Sequence, residues 1–400
     1  MRGTLSDWSI TDSVFTTDNC AAQTNGAHQA GVDVVRCQPH NNHRAVLAGI
    51  AASPEIKAAL ADQKDISTYT HKSSGANKIL RQSQLDAGIS KPLKTLQECG
   101  KQWDSAYNSV QRNIKLEPHL RKMAESDFVM ANKPDLAKKI AVGQEKKLLQ
   151  DFVTLLKPIA ESTPLMSSSK CVTSSSVIPT QLKINKLLRP NDSDHPAIAT
   201  MKTAMNQNYS KRDTLTNPHL LQASVLDVST RRHIKASHTQ ILLQPAIDEA
   251  KKQEASKTLR SAIPAPVAQT SDPTAPPPAK KKKITLQSFL MDSDSDDSDD
   301  DSETLATHAS AAALAKAEVE RFVQMPYPTK DENFKVLQWW KQNHKSFPIL
   351  APIARRVLAI QASAVSSERT WSTAGRISDK YRHSLTGHNL SALIILNRNQ

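Results

Sequence analysis

The sequence has few aromatic residues, few cysteines and no long uninterrupted apolar run. Aromatic side chains make up 4% and charged side chains 23% of 400 residues that include 22 prolines, which predicts a modest core diluted by polar segments. The four cysteines lack the spacing of a disulfide framework, which suits a reducing compartment. No apolar stretch is long enough to cross a bilayer, so we expect no membrane partner.

Positive charge is in excess, with a formal net charge of +13 at pH 7. Eight carboxylates are concentrated between Asp292 and Glu303, so the excess outside that run is larger still. Such a balance favours contact with a polyanion and makes DNA a possible partner, although solubility alone is an equally available explanation.

Residues 258–315 have the composition of a disordered linker. The stretch Pro264–Pro278 is rich in proline and favours an extended, solvated backbone. A lysine run follows it and is a candidate nuclear import signal, which predicts a nuclear protein; the alternative is a solvated charge run. The run consists of Lys280, Lys281, Lys282 and Lys283.

The last sixty-odd residues are the richest in large apolar side chains. Six of these side chains recur at helical spacing and predict a stripe along one side of a helix: Ile349, Leu350, Ile353, Ala354, Val357 and Leu358. Ser363 and Thr386 are predicted helix N-caps, and Gly375 is a predicted C-terminal stop. Periodicity alone favours an ordinary intramolecular helical core for this region.

An ordered set of motifs runs through the same region: an aromatic pair, Phe-Pro, the apolar helix, Ser-Ser-Glu-Arg and Ser-x-Ala-Gly. This order closely resembles the C-terminal dimerisation region of hAT-superfamily transposases and of the BED-finger proteins related to them. The matching residues are Trp339, Trp340, Phe347, Pro348, Ser366, Ser367, Glu368, Arg369, Ser372, Ala374 and Gly375.

The resemblance implies self-association as a homodimer or higher homo-oligomer. The alternative is that the same side chains form only an internal core. The predicted dimerisation residues are Trp339, Trp340, Phe347, Pro348, Ile353, Val357, Leu358, Trp371 and Leu393.

Two carboxylates match the catalytic positions of the family. The segment Thr17-Asp18-Asn19 resembles the one that carries the second acidic residue of an RNase H-like active site, and Glu368 in Ser-Ser-Glu-Arg matches the third. Without that resemblance, Asp18 and Asn19 would simply end a strand and cap the next helix. Family members use three carboxylates to hold divalent metal ions. We expect the first carboxylate and the BED finger to be missing from this N-terminally truncated chain, so Asp18 and Glu368 are predicted to be vestigial.

Trp103 and Arg369 are the candidate DNA-binding residues. The Trp103-Asp-Ser motif resembles a family landmark whose tryptophan stacks near the flipped base at a DNA end, but Gln102 stands where the family has arginine. A tryptophan without that context is more often part of a core.

The sequence Cys37-Gln-Pro-His40 raises the question of a zinc site, because cysteine and histidine are the usual ligands of zinc. The spacing is not that of a zinc finger, and no second ligand pair is nearby. We therefore predict that Cys37 and His40 are structural and that no metal is bound.

The predicted fold is α+β and mostly helical, with a partial RNase H-like region, a helical insertion and a helical dimerisation block. The predicted domains are residues 1–138, 139–257, 258–315 and 316–400, in that order. The predicted function is a non-catalytic, hAT transposase-derived protein that dimerises, with no cofactor. The alternatives are an active DNA transposase or nuclease that uses Mg²⁺ or Mn²⁺, and a nuclear DNA-binding transcriptional regulator.

Overall fold

A computed structural model describes residues 13–18, 20–99, 103–142, 146–262, 310–328, 334–378 and 386–398 of the chain. These residues are mostly helical, with one two-stranded sheet, so the predicted α+β, mostly helical class is confirmed. An RNase H-like arrangement and the four domain boundaries stay predictions. Most of the predicted linker, including the lysine run, lies outside the described residues.

The sheet is a short parallel pair near the start of the described chain. Strand β1 (Val14–Thr17) pairs with β2 (Asp33–Arg36), and helix α1 (Ala21–Gln29) connects them. Because the strands are parallel, their carboxyl ends meet at one edge, where Thr17 lies opposite Arg36.

Sixteen further α-helices follow within the described residues. Several begin with proline in the first turn, where its missing N–H costs no hydrogen bond. They are α2 (Gln38–Ala52), α3 (Pro54–Lys72), α4 (Ser74–Asp86), α5 (Trp103–Ala124), α6 (Asp127–Asn132), α7 (Pro134–Val142), α8 (Lys146–Met166), α9 (Ser174–Leu187), α10 (Pro196–Ser210), α11 (Pro218–Leu226), α12 (Leu243–Ala262), α13 (Ala311–Gln324), α14 (Val336–Asn343), α15 (Leu350–Val357), α16 (Val365–Ile377) and α17 (Gly387–Arg398). Two 3₁₀ helices, Arg231–His233 and Ala236–Leu242, lie between α11 and α12. None of the helices in these stretches is long and apolar enough to span a bilayer.

The largest core is formed by α2, α3, α5, α8 and α10. It contains fully buried side chains such as Phe152, Leu156 and Met201. Helices α2 and α10 pack closely at Gly49, where an added Cβ would lie 2.7 Å from Cγ of Met205. A neighbouring core joins α3, α4 and α5 to the short helices α6 and α7.

A separate core joins the C-terminal helices to helices that precede the predicted linker. Side chains from α11 and α12 pack with α13, α14 and α15 around a cluster of aromatic rings. The rings of Phe322 and Trp340 are stacked with centroids 5.4 Å apart, and Phe347 meets the Phe322 ring edge-on at 5.5 Å. The C-terminal region therefore does not fold around its own residues alone.

The last two helices differ in part from the sequence expectations. Helix α16 continues to Ile377, so the prediction that Gly375 ends it was wrong; the glycine lies within the last helical turn. The N-cap residue of α16 is Ala364 rather than Ser363, although the Ser363 hydroxyl still accepts a hydrogen bond from the Val365 N–H at 3.1 Å. The predicted cap at Thr386 is confirmed by a bond from the Asn389 N–H at 3.4 Å.

Candidate functional site

The carboxyl ends of the two strands contact the segment that leads into α16. Two hydrogen bonds join this segment to the ends of the strands: the Gln38 N–H donates to Ala362 O at 2.9 Å, and Thr16 Oγ1 donates to Gln361 O at 2.6 Å. The Cys37 N–H donates to Thr17 O at 2.7 Å and so holds the two strand ends together. The segment before α16 is thus held against the ends of the two strands.

Cys37 is part of this junction. Its side chain is 1% exposed, and its sulfur accepts a hydrogen bond from the Ala364 N–H at 3.4 Å. Burial raises the pKa of the Cys37 thiol, and its hydrogen bonds with Ala364, His40 and Ser363 offset only part of that rise. A neutral, buried thiol that fixes a backbone amide fits the predicted structural role.

A cavity of ≈ 460 Å³ opens beside the junction. It brings together the predicted residues Trp103 and Glu368 with Cys37 and His40. Its walls come from α2, α5, α8 and α16, and the lining includes Cys37, His40, His43, Trp103, Asp104, Tyr107, Thr163, Val365 and Glu368. His43 has a lowered pKa, first because it is partly buried and then because His40 and Arg44 are nearby.

Asp18 does not line this cavity. Its Oδ1 atom accepts a hydrogen bond from the Cys20 N–H at 3.1 Å, just before α1, whose N-cap residue is Cys20 and has no side-chain capping bond. Across the described parts of the chain, no group of three His, Cys, Asp or Glu side chains is placed to hold a metal ion. These residues therefore do not fit the Mg²⁺ or Mn²⁺ site that the resemblance implies.

Trp103 belongs to the largest core. It is 5% exposed, and its ring lies 6.2 Å from that of Tyr107 at a tilt of 58°. The indole is almost fully covered, so a base could stack on its face only if the surrounding residues moved. Arg369, the other candidate DNA contact, is exposed on α16 next to Glu368.

A buried polar network underlies the cavity and was not identified from the sequence. Gln38 Nε2 donates to Gln181 Oε1 at 2.8 Å, and Tyr209 Oη donates to Asn42 Oδ1 at 3.0 Å. Asn42 Nδ2 also donates to the Thr163 hydroxyl, which lines the cavity. The one signal available was that Gln38, Asn41 and Asn42 share one face of the first turn of α2.

Most of the predicted dimerisation residues are buried within the chain. Each of these side chains is at most 6% exposed: Trp340, Phe347, Ile353, Val357 and Leu358. Trp339 is half-buried, whereas Pro348 and Leu393 are exposed. The side chain of Trp371 lies outside the described residues. The internal-core alternative therefore accounts for the larger part of the apolar set.

The closing helix α17 is different, because its apolar side chains are left on the surface. It packs against α16, yet Leu393 is 37%, Ile395 60% and Leu396 62% exposed. Neither Ile395 nor Leu396 was singled out from the sequence, since the surrounding pattern alone does not show which side of the helix faces the chain.

Comparison with known proteins identifies this same region. Residues 316–400 match the model of the hAT family C-terminal dimerisation region. The chain is 40% identical over 77 residues to the protein named "Putative AC transposase" of Zea mays, and 38% identical over 82 residues to "Zinc finger BED domain-containing protein RICESLEEPER 2" of Oryza sativa subsp. japonica. It is also 33% identical over 79 residues to "Zinc finger BED domain-containing protein DAYSLEEPER" of Arabidopsis thaliana.

These matches are confined to one part of each protein. They cover 19%, 20% and 20% of this chain and 10%, 11% and 11% of the respective relatives. Residues 316–400, which the family model matches, contain α14 to α17, the aromatic rings and Glu368. Residues 316–400 are therefore similar to the hAT family C-terminal dimerisation region, and about a fifth of the chain is similar to a transposase and to BED zinc-finger proteins.

Proposed function

We propose that this chain is a non-catalytic hAT transposase-related protein that self-associates through α17. The observation that carries the proposal is the exposed apolar surface of Leu393, Ile395 and Leu396, which lies inside the matched dimerisation region. The aromatic residues of the same region are buried around Phe322 and support the fold. They are not free to contact a second copy.

Self-association would bury the apolar side chains of α17 that are exposed in the single chain. Large side chains exposed by more than half are uncommon next to one another on a monomer and are typical of protein interfaces. In a two-fold symmetric dimer, α17 of one copy would contact α17 of the other, so each copy would supply the same apolar surface to the interface.

Sedimentation of the full chain tests this part of the proposal. The change Leu393→Asp with Leu396→Asp is expected to convert a concentration-dependent oligomer into a monomer while the melting temperature is retained. A matched control is Leu165→Asp with Leu182→Asp, since both leucines are exposed but lie on α8 and α9. A wild-type chain that stays monomeric at high concentration, or a control that dissociates equally, would refute the proposal.

The non-catalytic part of the proposal is supported by the positions of the carboxylates. Glu368 lines the cavity and Asp18 does not, and the described residues contain no group of three His, Cys, Asp or Glu side chains placed to hold a metal ion. We expect purified full-length protein with Mg²⁺ or Mn²⁺ to leave DNA intact. Cleavage or strand joining that disappears in Glu368→Gln would instead favour an active transposase or nuclease.

DNA association in the nucleus is a second candidate, favoured by the net charge of +13 and by the exposed Arg369 beside the cavity. Binding that neutralises phosphates weakens steeply with salt. A filter-binding series in rising salt should show that slope with duplex DNA, and Arg369→Ala should reduce it. Affinity that does not depend on salt would count against this function.

A further inference from the structure

A second, larger concave surface lies on the C-terminal core, away from the cavity at Glu368. This groove has a volume of ≈ 1210 Å³ and is formed by the loop before α9 together with α14 and α15. Its apolar part is lined by Leu337, Trp340, Pro348, Ala351, Pro352 and Leu358. Leu337 is 56% exposed, so the groove presents apolar surface that the chain does not cover within its described residues.

The rim of the groove carries positive charge without any lining carboxylate. The cationic lining residues are Lys170, Lys341, Lys345, Arg355 and Arg356. Arg356 forms an ion pair with Glu249 at 2.9 Å. The other four have no carboxylate partner within 4 Å among the described residues and are exposed. An apolar floor with a basic rim fits a peptide that combines apolar side chains with carboxylates.

The chain contains one segment of that composition. In the printed sequence Phe289, Leu290 and Met291 are followed at once by the acidic run from Asp292 to Glu303. We propose that this groove binds residues 284–303 of its own chain, with the apolar triplet against the floor and the carboxylates against the rim. This segment lies outside the described residues.

The two helices that flank the segment in sequence pack against residues at the groove. Helix α12 contacts the rim, since Gln253 Nε2 donates to Pro348 O at 3.1 Å. Helix α13 contacts the residue after Pro348, because Glu318 Oε1 accepts from the Ile349 N–H at 2.9 Å. Glu303 is seven residues before Ser310, a span of up to about 25 Å when extended. The tether therefore allows the acidic run to reach the rim at a high effective concentration.

Nucleic acid is the competing occupant of a basic groove. A phosphate backbone needs a continuous basic track, whereas here the cations surround an apolar floor that a backbone would leave exposed. No residue of α17 lines the groove, so this proposal does not depend on the proposed mode of self-association.

Alkylation of Cys171 in the full chain tests the proposal, because this exposed thiol lines the groove. The test variant replaces the eight carboxylates between residues 292 and 303 by their amides. We expect Cys171 to react about tenfold faster with iodoacetamide in this variant than in the wild type, because the tethered segment no longer shields it. Cys99, which is exposed elsewhere, should react at the same rate in both.

A matched pair of basic variants tests the groove itself. Lys341→Glu with Lys345→Glu is expected to produce the same acceleration, whereas Lys57→Glu with Lys64→Glu on α3 makes the same charge change on another surface and should have no effect. All four lysines are exposed, so both variants should keep the wild-type melting temperature.

Three results would overturn the proposal. Equal Cys171 rates in all variants would show that the segment does not cover the groove. Protection by added duplex DNA, with no effect of the amide variant, would assign the groove to nucleic acid. Wild-type protection that grows with protein concentration would show that the segment comes from another copy.

Discussion

Trp340 donates its indole Nε1–H to the carbonyl oxygen of Leu226 at a distance of 3.0 Å. The two residues are 114 positions apart, and both are buried. The bond satisfies the final carbonyl of α11 and fixes the stacked aromatic cluster against that helix. It therefore links the matched dimerisation region to the part of the chain that precedes the predicted linker.

Replacing Trp340 by phenylalanine tests this link. Trp340→Phe keeps an aromatic ring but leaves the Leu226 carbonyl without its donor, so we expect the free energy of unfolding to fall by roughly 1–3 kcal/mol. Chemical denaturation of the full chain measures the change. Trp339→Phe is the control, because that ring is only half-buried, and its effect should be smaller. Equal losses from both changes would contradict the assigned role of the indole N–H.

Glu318 should make the stability of the chain depend on pH. Burial raises the pKa of this carboxyl above 4.5, and the N–H groups of Leu350 and Ile349 offset part of the rise. The folded state then holds the proton more strongly than the unfolded state. The contribution of Glu318 is therefore greatest below pH 4.5 and is lost as the pH rises through the folded pKa.

The difference between wild type and Glu318→Gln isolates this dependence. From pH 4 to pH 7, the wild-type free energy of unfolding should fall relative to that of the variant. Glu320→Gln serves as the control, since Glu320 is exposed on the same helix. The free energy of unfolding of this control should follow that of the wild type across the same pH range. A wild-type curve that rises relative to Glu318→Gln would reverse the assigned sign.

Gly49 is required by the close approach of α2 and α10. An added Cβ would lie 2.7 Å from Cγ of Met205 and 2.8 Å from Cγ of Met201, so Gly49→Ala should destabilise the chain by about 1–3 kcal/mol. Gly26→Ala is a matched change in α1, where nothing lies within 4 Å of the new methyl group. It should raise stability by up to about 1 kcal/mol through helix propensity. Thermal melts of both variants distinguish the packing effect at Gly49 from the helix-propensity effect at Gly26.

Cys37 should be far less reactive than the exposed thiols. Its thiol is buried and its raised pKa keeps it protonated at pH 8, so its alkylation should be more than about 100-fold slower than that of Cys20 and Cys99. Mass spectrometry of peptides from a time course gives the rates, and unfolding in denaturant should make them similar. Rapid reaction of Cys37 in the native chain would show that the junction with Ala364 opens readily.

The C-terminal region was predictable where local periodicity and packing agree. All six residues of the stripe from Ile349 to Leu358 are buried, because helical spacing shows which side chains share a face. The glycine stop predicted at Gly375 failed, because α16 continues through this exposed glycine to Ile377. For α17, periodicity did not show which side chains would be buried, and several of its apolar side chains are exposed.

The candidate site was less accessible to sequence reasoning, because its parts are distant along the chain. The motif around Trp103 marks a position at the cavity, but only the packing of α5 against α8 shows that the ring is buried. The bond between Tyr209 and Asn42 joins residues 167 positions apart, and neither motif nor composition predicts such a pair.

The shared core of α11 to α15 has a practical consequence for anyone who wishes to express the matched region by itself. A fragment cut at residue 316 would lose α11 and α12, leaving the outer faces of Val319, Phe322 and Trp340 in water. Such a fragment would aggregate through these uncovered core side chains, and its aggregation would not report on native self-association. This core combines residues from before and after the predicted linker. A fragment that keeps the core intact would therefore have to begin before Pro218.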